Sequence, residues 1–212
     1  MAILKIVTEE DPILRKISKP VDTVTDRLKT LLDDMADTLI DQNGVGLAAV
    51  QVGILRRIYI IDAGAEEGEH EIIEFINPKI IKTEGTQKDV EGCLSIPGKY
   101  GITERPMTVT VEAQDRNGNK FTYTGSELLG RCLCHEYDHL DGILYTDKAI
   151  KMLITPFPSG FILSRHRSPS AHFTKTPRFD ASTTSPGTAF EISKSTFSSN
   201  TVQKQSLSTF PL

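Results

Sequence analysis

Residues 134–139 read CHEYDH, two histidines four apart with a glutamate directly behind the first. On an α-helix, residues i and i+4 lie one above the other on the same face. His135 and His139 can then grip one ion from a single turn, with Glu136 beside it as a base. The same six residues equally suit two partly buried helix histidines next to a solvated acid. Either way the stretch predicts a helix, over residues 125–141, and its neighbours decide the fold.

Those neighbours are short strands and one further helix. In DRLKTLLDDMADTLIDQNG, residues 26–44, Leu28, Leu31, Leu32, Met35 and Leu39 fall on one face. Thr25 is placed to cap its start, and Gly44 follows its end. RRIYIIDA (56–63) and EIIEFINP (71–78) are β-branched runs bounded by turn residues, which predicts strands. TVTVEAQDRNGNKFTYTG (108–125) reads as a hairpin with Asn117-Gly118 at its turn. Strands between two helices, with no βαβ alternation, predict an α+β fold rather than a parallel sheet.

At 212 residues the chain is one domain, or one domain with an appendage. A formal charge of −4 gives no electrostatic footprint for nucleic acid or an anionic membrane. No apolar run approaches the roughly 20 residues of a spanning helix. MAILKIVTEEDPILRK, at the start, has too short an apolar stretch and too many acids for a signal peptide. Three cysteines, an odd number without disulfide-scaffold density, suit a reducing cytosol, so the expected location is cytoplasmic. From Thr155 onward serine, threonine and proline dominate and periodicity is lost. Such a segment buries too little apolar surface to offset its ordering entropy. Residues 1–154 are therefore expected to form the domain, and residues 155–212 a low-complexity, disordered tail.

A catalytic site of the zinc type takes three protein ligands and leaves one position open. In the metalloprotease pattern HExxHxxGxxH the third ligand is a histidine, but after Gly142 this chain has Tyr145 in its place. Where a later glutamate serves instead, the chain again offers nothing, with no acid between Asp147 and Asp180. On the same helix Cys132 shares the face of His135, yet it falls roughly 7 to 8 Å short of the metal along the axis. Cys132 reads better as a pocket or core residue and Cys134 as buried packing. Cys93, in the loop-like VEGCLSIPG (90–98), suits a small buried hydrophobe as well, but elimination of the others makes it the favoured ligand. GVGLAAVQVG (44–53) lacks the Walker lysine and the Rossmann glycine spacing. Gly44 and Gly46 permit close approach of a ligand to the backbone, and Gln51 supplies an amide donor suited to an oxyanion.

Taken together GVGLAAVQ, EGCLS and CHEYDH resemble the three motifs of the bacterial peptide deformylases, in order and at compatible spacing, over residues 3–151. The resemblance implies that Cys93, His135 and His139 hold one divalent metal, Fe2+ in the family's usual form, with Zn2+, Ni2+ or Co2+ as other occupants. Glu136 would be the acid–base group, and Gln51 with the backbone N–H of Leu94 would stabilise the oxyanion. The substrate implied is the formyl-methionyl end of a nascent polypeptide, met as a monomer and with the ribosome as a transient partner. The fold implied is α+β, with antiparallel sheets wrapped around the HExxH helix. Gly44, Val45, Gly46, Leu128 and Cys132 are the expected substrate-binding residues, with Val45, Leu128 and Cys132 flooring the methionine pocket. Glu91 and Arg105 are expected to pair and brace Cys93. Two other functions compete: an HExxH metallopeptidase, which needs the missing downstream ligand, and an inactive metal-binding module, which needs neither Glu136 nor Gln51.

Overall fold

The leucine stripe near the N-terminus forms α1 (Asp26–Asp41), whose N-cap is Thr25, its side chain accepting from the Leu28 N–H. Leu32, Met35 and Leu39 are fully buried. The helix ends in a Schellman turn: Asn43 N–H donates to Ile40 O and Gly44 N–H to Leu39 O. The left-handed residue there is Asn43, at φ 50°, rather than the glycine after it. In the computed structural model residues 2–64 and 69–153 are described, so the tail expected over 155–212 lies outside the described residues.

Eight strands follow, β1 (Gly46–Ala48), β2 (Ile58–Asp62), β3 (Ile72–Glu84), β4 (Gln87–Cys93), β5 (Ile96–Arg105), β6 (Thr108–Gln114), β7 (Lys120–Ser126) and β8 (Ala149–Leu153), with α2 (Leu128–Leu140) before the last. They make a five-stranded sheet in the order β1-β2-β3-β6-β7 and a three-stranded sheet in the order β4-β5-β8, antiparallel throughout. The α+β expectation therefore holds, with α2 packed on the larger sheet and touching β5 of the smaller.

Alternation along β2 explains how the larger sheet is covered on both faces. Ile58 and Ile60 join Leu32, Met35 and Leu39 of α1 in one cluster. Tyr59 and Ile61 join Phe75, Val109, Val111, Leu133 and Leu140 in the other, on the α2 side. Each such side chain contributes about 1.5–3 kcal/mol by leaving water, which anchors α1 to one face of the sheet and α2 to the other.

Several boundaries differ from the sequence reading. β3 runs past Pro78 to Glu84, because a register shift between Ile76 and Lys79 accommodates the proline. α2 begins at Leu128, not 125, because Gly125 and Ser126 pair in β7 and Glu127, at φ 56°, turns the chain sharply into the helix. The stretch read as loop-like around Cys93 is a hairpin: Cys93 ends β4 and faces Ile96 across a Leu94-Ser95 turn. Past the helix, where no element was expected, β8 pairs with β5. The 108–126 hairpin forms as read, with Gly118 at φ 79° and Asp115 Oδ1 accepting from the Asn117 and Asn119 N–H groups.

Candidate metal centre

Helix and hairpin meet at one point. Donor atoms of Cys93, His135 and His139 all lie within 4.8 Å of one another. Cys93 Sγ is 3.3 Å from His139 Nε2, and the two imidazoles meet edge to face with centroids 4.9 Å apart. His135 Nδ1 is 3.0 Å from Glu91 Oε2, which fixes its tautomer and leaves Nε2 toward the other donors. The Tyr145 ring stacks on His135 at 6.0 Å, while its hydroxyl donates to Lys99 O at 2.9 Å. Buried His139 Nδ1 has no hydrogen-bond partner among the described residues.

Glu91 and Arg105 pair as expected, Nε to Oε1 at 2.8 Å and Nη2 to Oε2 at 3.0 Å, both side chains buried. The sequence reading missed how far the network extends. Thr103 Oγ1 donates to Glu91 Oε1 at 2.6 Å, Arg105 Nη1 to Asp138 Oδ2 at 2.6 Å, and Lys148 Nζ to Asp138 Oδ1 at 2.7 Å. Burial acts to raise the Glu91 pKa, but hydrogen bonds from His135 and Arg105 outweigh it and hold the carboxyl well below the usual range. For His135, burial opposes the charge, and hydrogen bonds to Cys93 and Glu91 carry its pKa upward regardless. Burial drives that of His139 down. One sulfur and two imidazoles, with one imidazole oriented by a buried carboxylate, are a donor set that fits a divalent transition metal.

Glu136 is buried beside these donors, and its Oε2 has no hydrogen-bond partner among the described residues. Burial pushes its pKa up to about 7, only partly opposed by His135. Gly46 makes room for it: a Cβ at 46 would meet Glu136 Oε1 at 2.5 Å and Cys132 Sγ at 2.7 Å. Gln51 is held by its Oε1, which accepts from Ala48 N–H at 2.8 Å. Its Nε2 therefore faces Ser95 Oγ at 3.3 Å and Cys93 Sγ at 3.5 Å. Ser95, inside a quoted motif, was not singled out as a site residue.

A cavity of about 810 Å³ opens on these groups; Gly44, Val45, Gly46 and Cys132 of the expected substrate-binding residues line it, and so does Leu94. Leu128 does not: it packs against the α2-side core, and Arg131 lines the cavity instead. Helical spacing places Leu128 on the stripe of Cys132, His135 and His139. At the first turn of α2, however, that stripe is already covered by core.

A family model described as polypeptide deformylase matches residues 3–153. A peptide deformylase of Acetivibrio thermocellus is 56% identical over 153 residues, covering 72% of this chain and 87% of the relative. One from Alkaliphilus metalliredigens is 56% identical over 151 residues, covering 71% and 99%. Among solved structures, a peptide deformylase from Legionella pneumophila superposes with a TM-score of 0.66 at 46% identity, covering 69% of this chain and 86% of that one.

Proposed function

The chain belongs to the polypeptide deformylase family and is a hydrolase that removes the N-formyl group from nascent polypeptides; we propose that Cys93, His135 and His139 hold the metal on which that family depends. The observation supporting this is the convergence of three donor atoms, from two elements remote in sequence, within 4.8 Å. A metal held there would supply Lewis-acid polarisation of the formyl carbonyl and a water nucleophile near neutral pH.

Every other step falls to side chains. Glu136, with a free buried oxygen and a pKa raised to about 7, takes the attacking water's proton and passes it to the leaving amine as formate departs. Gln51 Nε2 and the Leu94 N–H stabilise the oxyanion, and the Ala48 contact spares the amide from turning at the moment of reaction. Gly44, Val45, Gly46 and Cys132 receive the methionine side chain. Ferrous iron is the metal of this reading, with zinc, nickel or cobalt as substitutes. The sulfur donor disfavours magnesium, and the resemblance to the deformylases favours iron.

Residues 1–154 carry the whole activity in this reading, supported by a family match that ends at residue 153. The enzyme works as a cytoplasmic monomer and holds the ribosome only in passing, since a net charge of −4 gives no overall pull toward RNA. Among the described residues no helix is long and apolar enough to cross a membrane. The test is formate release from a formyl-methionyl peptide by the iron-loaded protein without air. Turnover that disappears on chelation and returns with metal is expected; a metal-replete protein releasing no formate would overturn the reading.

A further inference from the structure

Among the charged residues of the cavity wall, Arg131 and Asp89 have no part in metal binding or oxyanion stabilisation and pair with each other. Arg131 lies four residues before His135 on α2, and Asp89 four residues before Cys93 on β4. Arg131 Nη1 donates to Gln87 Oε1 at 2.8 Å and lies 3.0 Å from Asp89 Oδ2. The arginine side chain is 10% exposed and that of Asp89 54%, so the pair runs from the protein interior to the cavity's edge. At about 1.5 Å per helical residue and 3.4 Å per strand residue, the pair sits roughly 6 Å back from the ligands along α2 and 13 Å back along β4. It therefore ties helix to strand beyond one end of the metal centre, and Cys132 and Val90 line the space nearer to it.

We propose, resting on the deformylase reading, that the Arg131–Asp89 pair is the end wall of the side-chain pocket and sets the longest first residue the enzyme accepts. Cys93, His135 and His139 would hold the metal that takes the formyl carbonyl, and the adjacent side chain would then fill the cavity lined by Cys132, Val90 and this pair. An apolar end wall yields to an extra methylene by repacking. An ion pair pinned by Gln87 yields only by separating, which leaves a largely buried guanidinium without its counter-charge. Gln87 and Asp89 lie two apart on one strand, so both project from the same face toward Arg131.

The test compares kcat/KM for formyl-methionyl-, formyl-norleucyl- and formyl-ethionyl-alanine, using the metal-loaded full chain and its Arg131→Ala and Asp89→Ala variants. Norleucine replaces the sulfur at equal length, whereas ethionine is one methylene longer. The unaltered enzyme is expected to treat norleucine as methionine and to reject ethionine by about 10–200-fold. In both variants that rejection shrinks to about threefold or less, and Arg131→Lys, which keeps a cation for Asp89, recovers part of it. Asp89 is half exposed, so its variant carries the test even where Arg131→Ala does not fold. Unchanged ratios in variants that still process formyl-methionine would overturn the proposal. So would rejection of norleucine, which would mean that sulfur rather than length is read. Failure of the unaltered enzyme on formyl-methionine would overturn the functional reading itself, and the pocket inference with it.

Discussion

Position 46 shows what one missing side chain does for the chemistry. Glu136 Oε1 and Cys132 Sγ occupy the space a Cβ would take, at 2.5 and 2.7 Å. Gly46→Ala must displace the Glu136 carboxylate, because α2 is fixed by its core and cannot retreat. Misplacement on the ångström scale costs about 10²-fold. Gly46→Ala should therefore lose kcat on that order while keeping its metal content, and equal kcat with equal metal would show the carboxylate elsewhere during turnover. Glu136→Gln removes proton transfer and leaves the donors Cys93, His135 and His139 untouched. Metal analysis should find a full complement in that variant while kcat falls by at least about 10²–10⁴-fold. Full activity in metal-replete Glu136→Gln would sink its assignment as acid–base group.

Between elements, Arg105 of β5 is the joint, holding Glu91 of β4 and Asp138 of α2 at once. Replacing it with methionine takes the shared cation from buried Glu91 and from Asp138, which keeps only Lys148, a loss on the order of 3–5 kcal/mol. Thermal melting of Arg105→Met should show it, together with weaker metal retention. Acid acts on the same joint. The Glu91 carboxyl titrates below its ordinary value of 4.5, so its contribution is complete above about pH 4.5 and is lost as pH falls toward the lower folded value. Melting temperature should therefore drop more steeply between about pH 5 and pH 3 in the parent than in Glu91→Gln, and parallel curves would remove Glu91 from the acid response. How much of this was legible depended on periodicity. The leucines of α1 and the Asn117-Gly118 turn repeat or punctuate strongly enough to be read. β4, QKDVEGC, lies in the smaller sheet with Gln87 half-buried and Lys88 and Asp89 exposed, so its period-2 signal is weak and the sequence around Cys93 reads as loop-like. β8 exposes its three central residues and shows no pattern at all. Of the proposed site, His135, Glu136 and His139 are legible because their spacing is local, whereas Cys93, 46 residues from His139, comes only from elimination and from the resemblance. Asp138 and Arg131 are not legible, because partners 33 and 44 residues away give them their roles.

For the whole chain, all proposed site residues fall between Gly44 and His139, and the matched family region ends at 153. A protein cut after residue 154 should keep kcat/KM within about twofold, allowing for a modest change in stability of the kind that shifts melting by a few degrees. A large loss of kcat/KM in the shortened protein would place part of the machinery beyond residue 154. The centre also has a history in time. Cys93 and His139 stand 46 residues apart. At about 5–20 residues per second, roughly 2–9 seconds of synthesis separate the thiol from its last partner. During that interval the residues carrying the sulfur have been made and the last turn of the helix that shelters it has not. In the proposed site, metal can load only after His139 has been made, so the redox state of the cell in those seconds would bear on how many molecules reach that point.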